Sequence, residues 1–174
     1  MATKPDTTPQ STRLFLALWP DPDTRQRLLA WREAWTWPRA ASPVHSDKLH
    51  VTLHFLGPQP SERLPELLDG FQVPSTPFSL QFGRAAIWHN GVAVLEPSAQ
   101  PPALLDLHAR LSQALAGLGL QPEARQYRPH VTMARRAAGA GLPQDGPAID
   151  WHIDRYVLVE SSGGSYTVLR DYLI

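Results

Sequence analysis

Two short segments carry residue types that could move protons. Leu49-His50-Val51-Thr52-Leu53 is echoed eighty positions later by Pro129-His130-Val131-Thr132-Met133, and a basic residue, Lys48 or Arg128, lies two places before each histidine. Residues two apart on a β-strand lie on the same face, so each segment would present an imidazole and a hydroxyl together. We interpret the segments as two half-sites that combine into one site.

Paired histidines suit acid–base catalysis, because an imidazole titrates near neutral pH and one ring can be neutral while the other carries a proton. The hydroxyls of Thr52 and Thr132 can donate hydrogen bonds to non-bridging phosphate oxygens. Arginines beside the second motif suit the charge of a phosphodiester. On a regular strand Arg128 shares the face of His130, whereas Arg135 projects to the opposite face.

The alternatives are a structural role and a metal site. One His-x-Thr motif alone is typical of a structural histidine, but two copies in apolar strands favour function. No Asp, Glu or Cys lies at ligand spacing beside either motif, so we expect no metal. On a strand His50 and His54 would share a face, yet they would be too far apart for one ion. We assign the other histidines to the surface or to packing: His45, His89, His108 and His152.

The chain has 174 residues, the length of one domain, and 16 basic residues balance 16 acidic ones. No overall field would therefore attract a polyanion, and any RNA contact depends on local charge. The chain has no cysteine, no export signal and no membrane span, so we expect a cytoplasmic monomer. Residues 1–12 are predicted to be a disordered tail, and residues 13–174 a single domain.

The order of elements predicts an α+β fold of two related lobes. Each motif strand follows a strand and a helix, and Asn90-Gly91 between two apolar runs indicates a hairpin. Gly57-Pro58 is expected to end the first motif strand. We expect strands at 13–19, 48–55, 78–82, 85–88, 92–95, 128–135, 153–160 and 166–173, helices at about 21–35, 60–70 and 102–118, and a flexible loop at 137–147.

The two motifs resemble those of the two-histidine (2H) phosphoesterase superfamily. Residues 48–57 and 128–135 are most similar to its RNA 2′,3′-cyclic phosphodiesterase branch, long called 2′-5′ RNA ligases. Residues 13–18 match the opening strand of that branch, and Glu160-Ser161 followed by Tyr166 matches its closing segment. The resemblance implies a bilobed α+β fold with two pseudo-symmetric lobes, each of antiparallel sheet and helix, and a central cleft that carries one motif from each lobe.

The resemblance also implies the reaction. Members open a terminal 2′,3′-cyclic phosphate on RNA to leave a 2′-phosphate, without metal or nucleotide cofactor. By motif position, His50 would be the proton donor and His130 the proton acceptor, while Thr52, Thr132 and Arg135 would hold the phosphate. Aromatic side chains near the motif strands could stack on a base, although a core position is the more typical role for each. These side chains are Phe15, Phe55 and Tyr127.

Three other functions remain open. The chain could act on a small cyclic nucleotide, it could run the reaction backward as a 2′-5′ ligase, or it could bind RNA ends without turnover. In the first two cases the same pair of histidines would act. For ligation they would exchange the roles of acid and base, because the reaction is reversed.

Overall fold

The computed structural model describes residues 10–174, so most of the predicted tail, residues 1–9, lies outside the described residues. The first strand begins at Ser11 instead of residue 13, because Thr12 pairs with Gln59 and donates its hydroxyl to Glu160. The elements in chain order are β1 (Ser11–Leu18), α1 (Pro22–Ala34), β2 (Ser42–Pro43), β3 (Val51–Pro60), α2 (Leu64–Gly70), β4 (Phe78–Ile87), β5 (Ala93–Pro97), α3 (Pro102–Gly117), β6 (Val131–Arg135), β7 (Ile149–Ile153), β8 (Arg155–Ser162) and β9 (Ser165–Leu173).

The predicted helices and the hairpin are confirmed, while several strand predictions were wrong. The segments expected as two strands at 78–82 and 85–88 form the single strand β4, and the motif strands begin at Val51 and Val131, one residue after each histidine. Gly57 adopts a φ of 70° at a register shift, so β3 bends there and continues to Pro60 instead of ending. Strand β7 was not predicted, although its alternating buried residues, Ile149, Trp151 and Ile153, form a clear pattern of period two.

All nine strands of the described chain lie in one antiparallel sheet. The order is β7-β4-β5-β6-β3-β1-β8-β9, and β2 pairs with β6. The motif strands β3 and β6 are central neighbours that share one register pair, Val51 with Val131. Three further strands follow on each side of that pair along the main path, so the predicted α+β fold with two related halves is confirmed.

The halves are related by a repeated unit of strand, helix and motif strand. Helix α1 connects β1 to β3, and α3 connects β5 to β6. Each helix covers the half to which its own strands do not belong. The indole Nε1 of Trp31 in α1 donates to the carbonyl of Pro147, close to β7, at 2.8 Å. The carbonyl of His108 in α3 accepts from His54 in β3 at 2.9 Å.

The two faces of the sheet differ. The main core lies between one face and the helices, where α3 buries Leu104, Leu107, Leu111 and Leu115. On the other face a smaller cluster, Phe15, Ala17, Val157 and Val159, packs against the partly buried rings of Trp19 and Tyr166. No helix in residues 10–174 is long and apolar enough to cross a bilayer. The small apolar cluster on the open face can surround a polar side chain that emerges there.

The segment 137–147 forms a loop, as expected, but it is held against α1. Gly141 bridges to Thr36, and Gly146 lies against the buried ring of Trp31. A Cβ atom at Gly146 would be 2.5 Å from Cε2 of Trp31, closer than packed atoms tolerate. The loop therefore depends on glycine at this position.

Gly146→Ala is expected to reduce the free energy of unfolding by about 1–3 kcal/mol, because the rigid indole must shift within a packed core. Urea denaturation monitored by circular dichroism measures the change. Gly117→Ala is the matched control, since a Cβ at Gly117 would meet nothing within 4 Å. Equal stability of the two variants would contradict the prediction.

Candidate active site

In β3, a bulge decides which side chains reach the open face. The register with β1 passes from Thr52 directly to His54, so Leu53 is the extra residue. Leu53 and His54 are both buried on the helix side, and Phe55 returns to the open side with 66% of its surface exposed. The expectation that His54 shares the face of His50 was wrong, because the bulge reverses the alternation.

Strand β6 has the same irregularity at the equivalent position. Its register with β5 passes from Thr132 directly to Ala134, so Met133 is the extra residue. Met133 and Ala134 are both fully buried, and Arg135 is exposed. The alternation therefore turns Arg135 to the side of Thr132, and the prediction from a regular strand that it projects oppositely was wrong.

Both motif histidines have the same hydrogen bond at Nδ1. This atom lies 2.6 Å from the carbonyl of Lys48 in His50, and 2.8 Å from the carbonyl of Arg128 in His130. A carbonyl oxygen only accepts, so Nδ1 carries the hydrogen and the neutral ring keeps a free lone pair on Nε2. The hydroxyl of Thr52 lies 2.9 Å from Nε2 of His50 and can donate to it. In both halves Nε2 is therefore the ring nitrogen that can exchange a proton, and in His50 it does so beside the Thr52 hydroxyl.

Aromatic rings enclose His50. Phe15 and Trp19 stack on the imidazole at centroid distances of 4.9 and 5.6 Å, and Tyr166 meets it edge-on at 5.7 Å. Burial lowers the pKa of His50 to about 4, and the nearby charges of His130 and Arg25 act in the same direction. The hydrogen bond to the carbonyl of Lys48 opposes them. His50 is therefore neutral at pH 7 in the free protein.

Helix α1 supports the segment that precedes His50. The guanidinium of Arg25 donates to the carbonyls of Ser46 and Leu49 at 2.6 and 3.2 Å, and it lies 5.3 Å from the ring of Trp19. These bonds hold the turn that contains Lys48, whose carbonyl orients the imidazole. The position of His50 is thus fixed by the helix as well as by the strand that follows it.

His130 has a more polar environment. Its ring lies 4.3 Å from the ring of Trp88. Burial lowers the pKa of His130, and the hydrogen bond to the carbonyl of Arg128 and the charge of Glu96 act against this effect. The guanidinium groups of Arg128 and Arg135 lower the pKa of His130. Both arginines are therefore close enough to act electrostatically at this half-site.

A cavity of about 480 Å³ joins the two half-sites. Thr52 and Phe55 line it from one half, and Trp88, Arg128 and His130 line it from the other. This volume falls in the range of small-molecule sites, and the lining mixes aromatic rings with a few polar groups. Residues of the loop before β6 complete the wall: Gln121, Glu123, Arg125, Gln126 and Tyr127.

Tyr127 is tied to the framework of this cavity. Its hydroxyl donates to the carbonyl of Thr52 at 2.8 Å, and burial raises its pKa. Its ring stacks on His108 at 3.9 Å, and His108 stacks on His54 at 4.1 Å. These contacts join the loop to α3 and β3, and the stacked pair fits the packing role predicted for His108.

The structure brings most of the predicted site residues together on the open face. His50, Thr52 and Phe15 come from one half, and His130, Thr132, Arg128 and Arg135 come from the other. Sequence reasoning missed Trp19, Trp88 and Glu96, which reach the histidines across strands whose register the sequence does not reveal. No three His, Cys, Asp or Glu side chains within residues 10–174 converge in a way that could hold a metal ion.

Comparison with known proteins places this geometry in a family. The sequence model of the 2′-5′ RNA ligase superfamily matches residues 20–164. The RNA 2′,3′-cyclic phosphodiesterase of Escherichia coli (strain K12) is 31% identical over 153 residues, which cover 86% of this chain and 87% of that protein. The protein with the same description from Thermus thermophilus is 30% identical over 179 residues, covering 92% and 89% of the two chains.

Solved structures show the same fold. The crystal structure of E. coli LigT complexed with 3′-AMP superposes with a TM-score of 0.86 at 27% identity, covering 95% of this chain and 99% of that one. A crystal structure described as a phosphoesterase superposes with a TM-score of 0.85 at 29% identity, with the same coverage. The paired motifs had suggested this relationship, and the match across most of the chain confirms it: the protein belongs to the 2′-5′ RNA ligase superfamily.

Proposed function

We propose that the protein hydrolyses a terminal 2′,3′-cyclic phosphate on RNA and leaves a 2′-phosphate. The observation that carries the proposal is the pair of histidines, His50 and His130, which have matching Nδ1 hydrogen bonds and precede neighbouring motif strands, with His130 and the Thr52 hydroxyl that contacts His50 lining the same cavity. Two relatives, aligned with this chain over 87% and 89% of their own length, are named RNA 2′,3′-cyclic phosphodiesterases. The cavity beside the histidines has room for a terminal nucleoside.

In the proposed mechanism, His130 is the base and His50 is the acid. Nε2 of His130 takes a proton from water, whose oxygen attacks phosphorus while the bond from phosphorus to O3′ breaks. His50, protonated at both nitrogens, gives its Nε2 proton to O3′. One proton is thus taken up and one released, and exchange with solvent restores the starting states.

The remaining polar groups stabilise charge on phosphorus. The Thr52 and Thr132 hydroxyls donate to the non-bridging oxygens, and Arg135 adds a positive charge on the same face. The bulges in β3 and β6 support this assignment, because they turn Phe55 and Arg135 toward the cleft at equivalent positions. Phe55 is exposed enough to stack on a base, whereas Phe15 and Tyr127 are engaged with His50 and with His108.

Replacing either histidine should abolish turnover by this mechanism. We expect His50→Ala and His130→Ala each to reduce kcat by roughly 10²–10⁴-fold, the usual contribution of a general acid or base. The assay uses an oligonucleotide with a 2′,3′-cyclic phosphate end in excess EDTA, and chromatography identifies the phosphate position in the product. His152→Ala is the control, since His152 is exposed on β7. Undiminished turnover in both active-site variants would sink the proposal.

The dependence of kcat/KM on pH should be bell-shaped, with its maximum below pH 6.5. His50 must be protonated, so the rate falls as pH rises above its pKa of about 4. His130 must be neutral, so the rate falls as pH drops below its pKa, which is also lowered from 6.5. A bound phosphodiester anion favours both imidazolium forms, so the kcat profile should lie at higher pH.

Initial rates measured from pH 3.5 to 9, with subsaturating and saturating substrate, give both profiles. A maximum of kcat/KM above pH 6.5, or a flat profile, would contradict the prediction. Proton NMR of the imidazole rings provides an independent measure of the two pKa values in the free protein.

Arg135→Gln is expected to reduce kcat by roughly 10²-fold, the scale of one lost charge-stabilising donor. Arg136→Gln is the matched control, because its guanidinium donates to the hydroxyl of Ser42 at 2.6 Å. Steady-state kinetics of both variants test the prediction. A loss in Arg136→Gln as large as in Arg135→Gln would assign the effect to the fold of this segment.

The same site could join RNA ends through a 2′-5′ bond in the reverse direction, and we propose this as a minor activity. Incubating an RNA that has a cyclic-phosphate end with an RNA that has a 5′-hydroxyl end tests it directly.

Comparing turnover of a cyclic mononucleotide with turnover of an oligonucleotide distinguishes a small-nucleotide enzyme from an RNA enzyme, and tight binding without turnover would identify a binding module. We also propose that the protein is a monomer, which light scattering would test, and that it is cytoplasmic, which cell fractionation would test.

A further inference from the structure

The repeated unit places different residues beside the two histidines. In β1, Ala17 pairs with Thr52 and Leu18 pairs with Val51, so the next residue, Trp19, is level with His50. The equivalent residues of β5 pair with Thr132 and Val131, which places Glu96 level with His130. The aligned segments are Ala17-Leu18-Trp19-Pro20 and Val94-Leu95-Glu96-Pro97.

Glu96 is unusual for a carboxylate because only 8% of its surface is exposed. Its Oε1 accepts hydrogen bonds from Nε1 of Trp88 at 2.8 Å and from Nη2 of Arg128 at 2.7 Å. The guanidinium of Arg128 lies 4.4 Å from the ring of Trp88, and that ring packs on His130. One carboxylate therefore holds two of the side chains that form the wall around His130.

We infer that Glu96 is the positioning residue that makes His130 the base of the pair: it holds Trp88 and Arg128 in place and stabilises the positive charge that His130 acquires when it takes a proton from water. This inference rests on the proposed function. At the equivalent position Trp19 presents an uncharged ring to His50. The scaffold is thus symmetric, and the charge beside the two histidines is not.

This asymmetry suits the proposed roles. A base is stronger when its conjugate acid is stabilised, and an acid is stronger when its charged form is destabilised. The charged groups that act on His130 are Glu96 from β5 and the guanidinium groups of Arg128 and Arg135 from its own segment. Within this set Glu96 is the group that raises the pKa of His130 through its charge. Among residues 10–174 no carboxylate acts in this way on His50, for which Arg25 and His130 lower the pKa.

Glu96→Gln tests the charge separately from the contacts. The glutamine side chain has nearly the same shape, and its amide oxygen can still accept from Trp88 and Arg128. Proton NMR titration should show a lower pKa for His130 than in the wild type, and a smaller change for His50. We expect kcat on a cyclic-phosphate oligonucleotide to fall by roughly threefold to tenfold, because the base is weaker. Glu96→Ala, which also removes the contacts, should be more impaired than Glu96→Gln.

Asp106→Asn is the matched control, because Asp106 is also a carboxylate paired with an arginine, at 2.9 Å from Arg110, on the exposed surface of α3. It should leave both the His130 titration and kcat unchanged. An unchanged His130 pKa in Glu96→Gln, or equal shifts in His50 and His130, would overturn the inference. Failure of the wild-type protein to turn over the substrate would instead count against the proposed function, because the titration is measured without substrate.

Discussion

The site depends on the packing of Val51 against Val131, the one register pair that joins the two motif strands. Both side chains are fully buried, so their contact fixes the face on which the flanking histidines and threonines emerge. A shift of either strand by one residue would bury the polar side chains under the helices and expose the valines. The free energy of burying this apolar pair therefore also maintains the catalytic register.

Burial has a chemical consequence at each histidine. Transfer of an imidazole from water into a ring of aromatic side chains disfavours its charged form, and this dominates at His50. At His130 the same effect is reduced by a nearby carboxylate that is itself held by an indole and a guanidinium. The protein thus separates two chemically identical groups by what surrounds them, while their backbone positions and their Nδ1 hydrogen bonds stay equivalent.

Much of the fold followed from local patterns in the sequence. The helix at Pro102–Gly117 has regularly spaced leucines, and Asn90-Gly91 marks the turn between β4 and β5. The paired motifs identified the histidines and threonines, because repetition is visible without a structure. Long stretches with one strong period are therefore read correctly from a single sequence.

The site residues that could not be predicted are those whose position depends on the register between paired strands. Bulges at Leu53 and Met133 each add one residue to a strand, and nothing in an apolar leucine or methionine signals the change of face that follows. The position of Arg135 could therefore not be obtained from a regular strand. Glu96 lies more than thirty residues from His130 in the sequence, and only the pairing of β5 with β6 makes them neighbours.

The exchange of helices between the halves limits how far the repeat can be regarded as two units. Trp31 and Leu28 on α1 are buried through packing that includes the half containing β7, and α3 in turn packs on β3. Since each helix packs on the opposite half, either half without the other would leave the apolar face of its own helix exposed and its own part of the sheet uncovered. The two copies of the repeat therefore share one core, and the surroundings of each histidine depend on packing contributed by both halves.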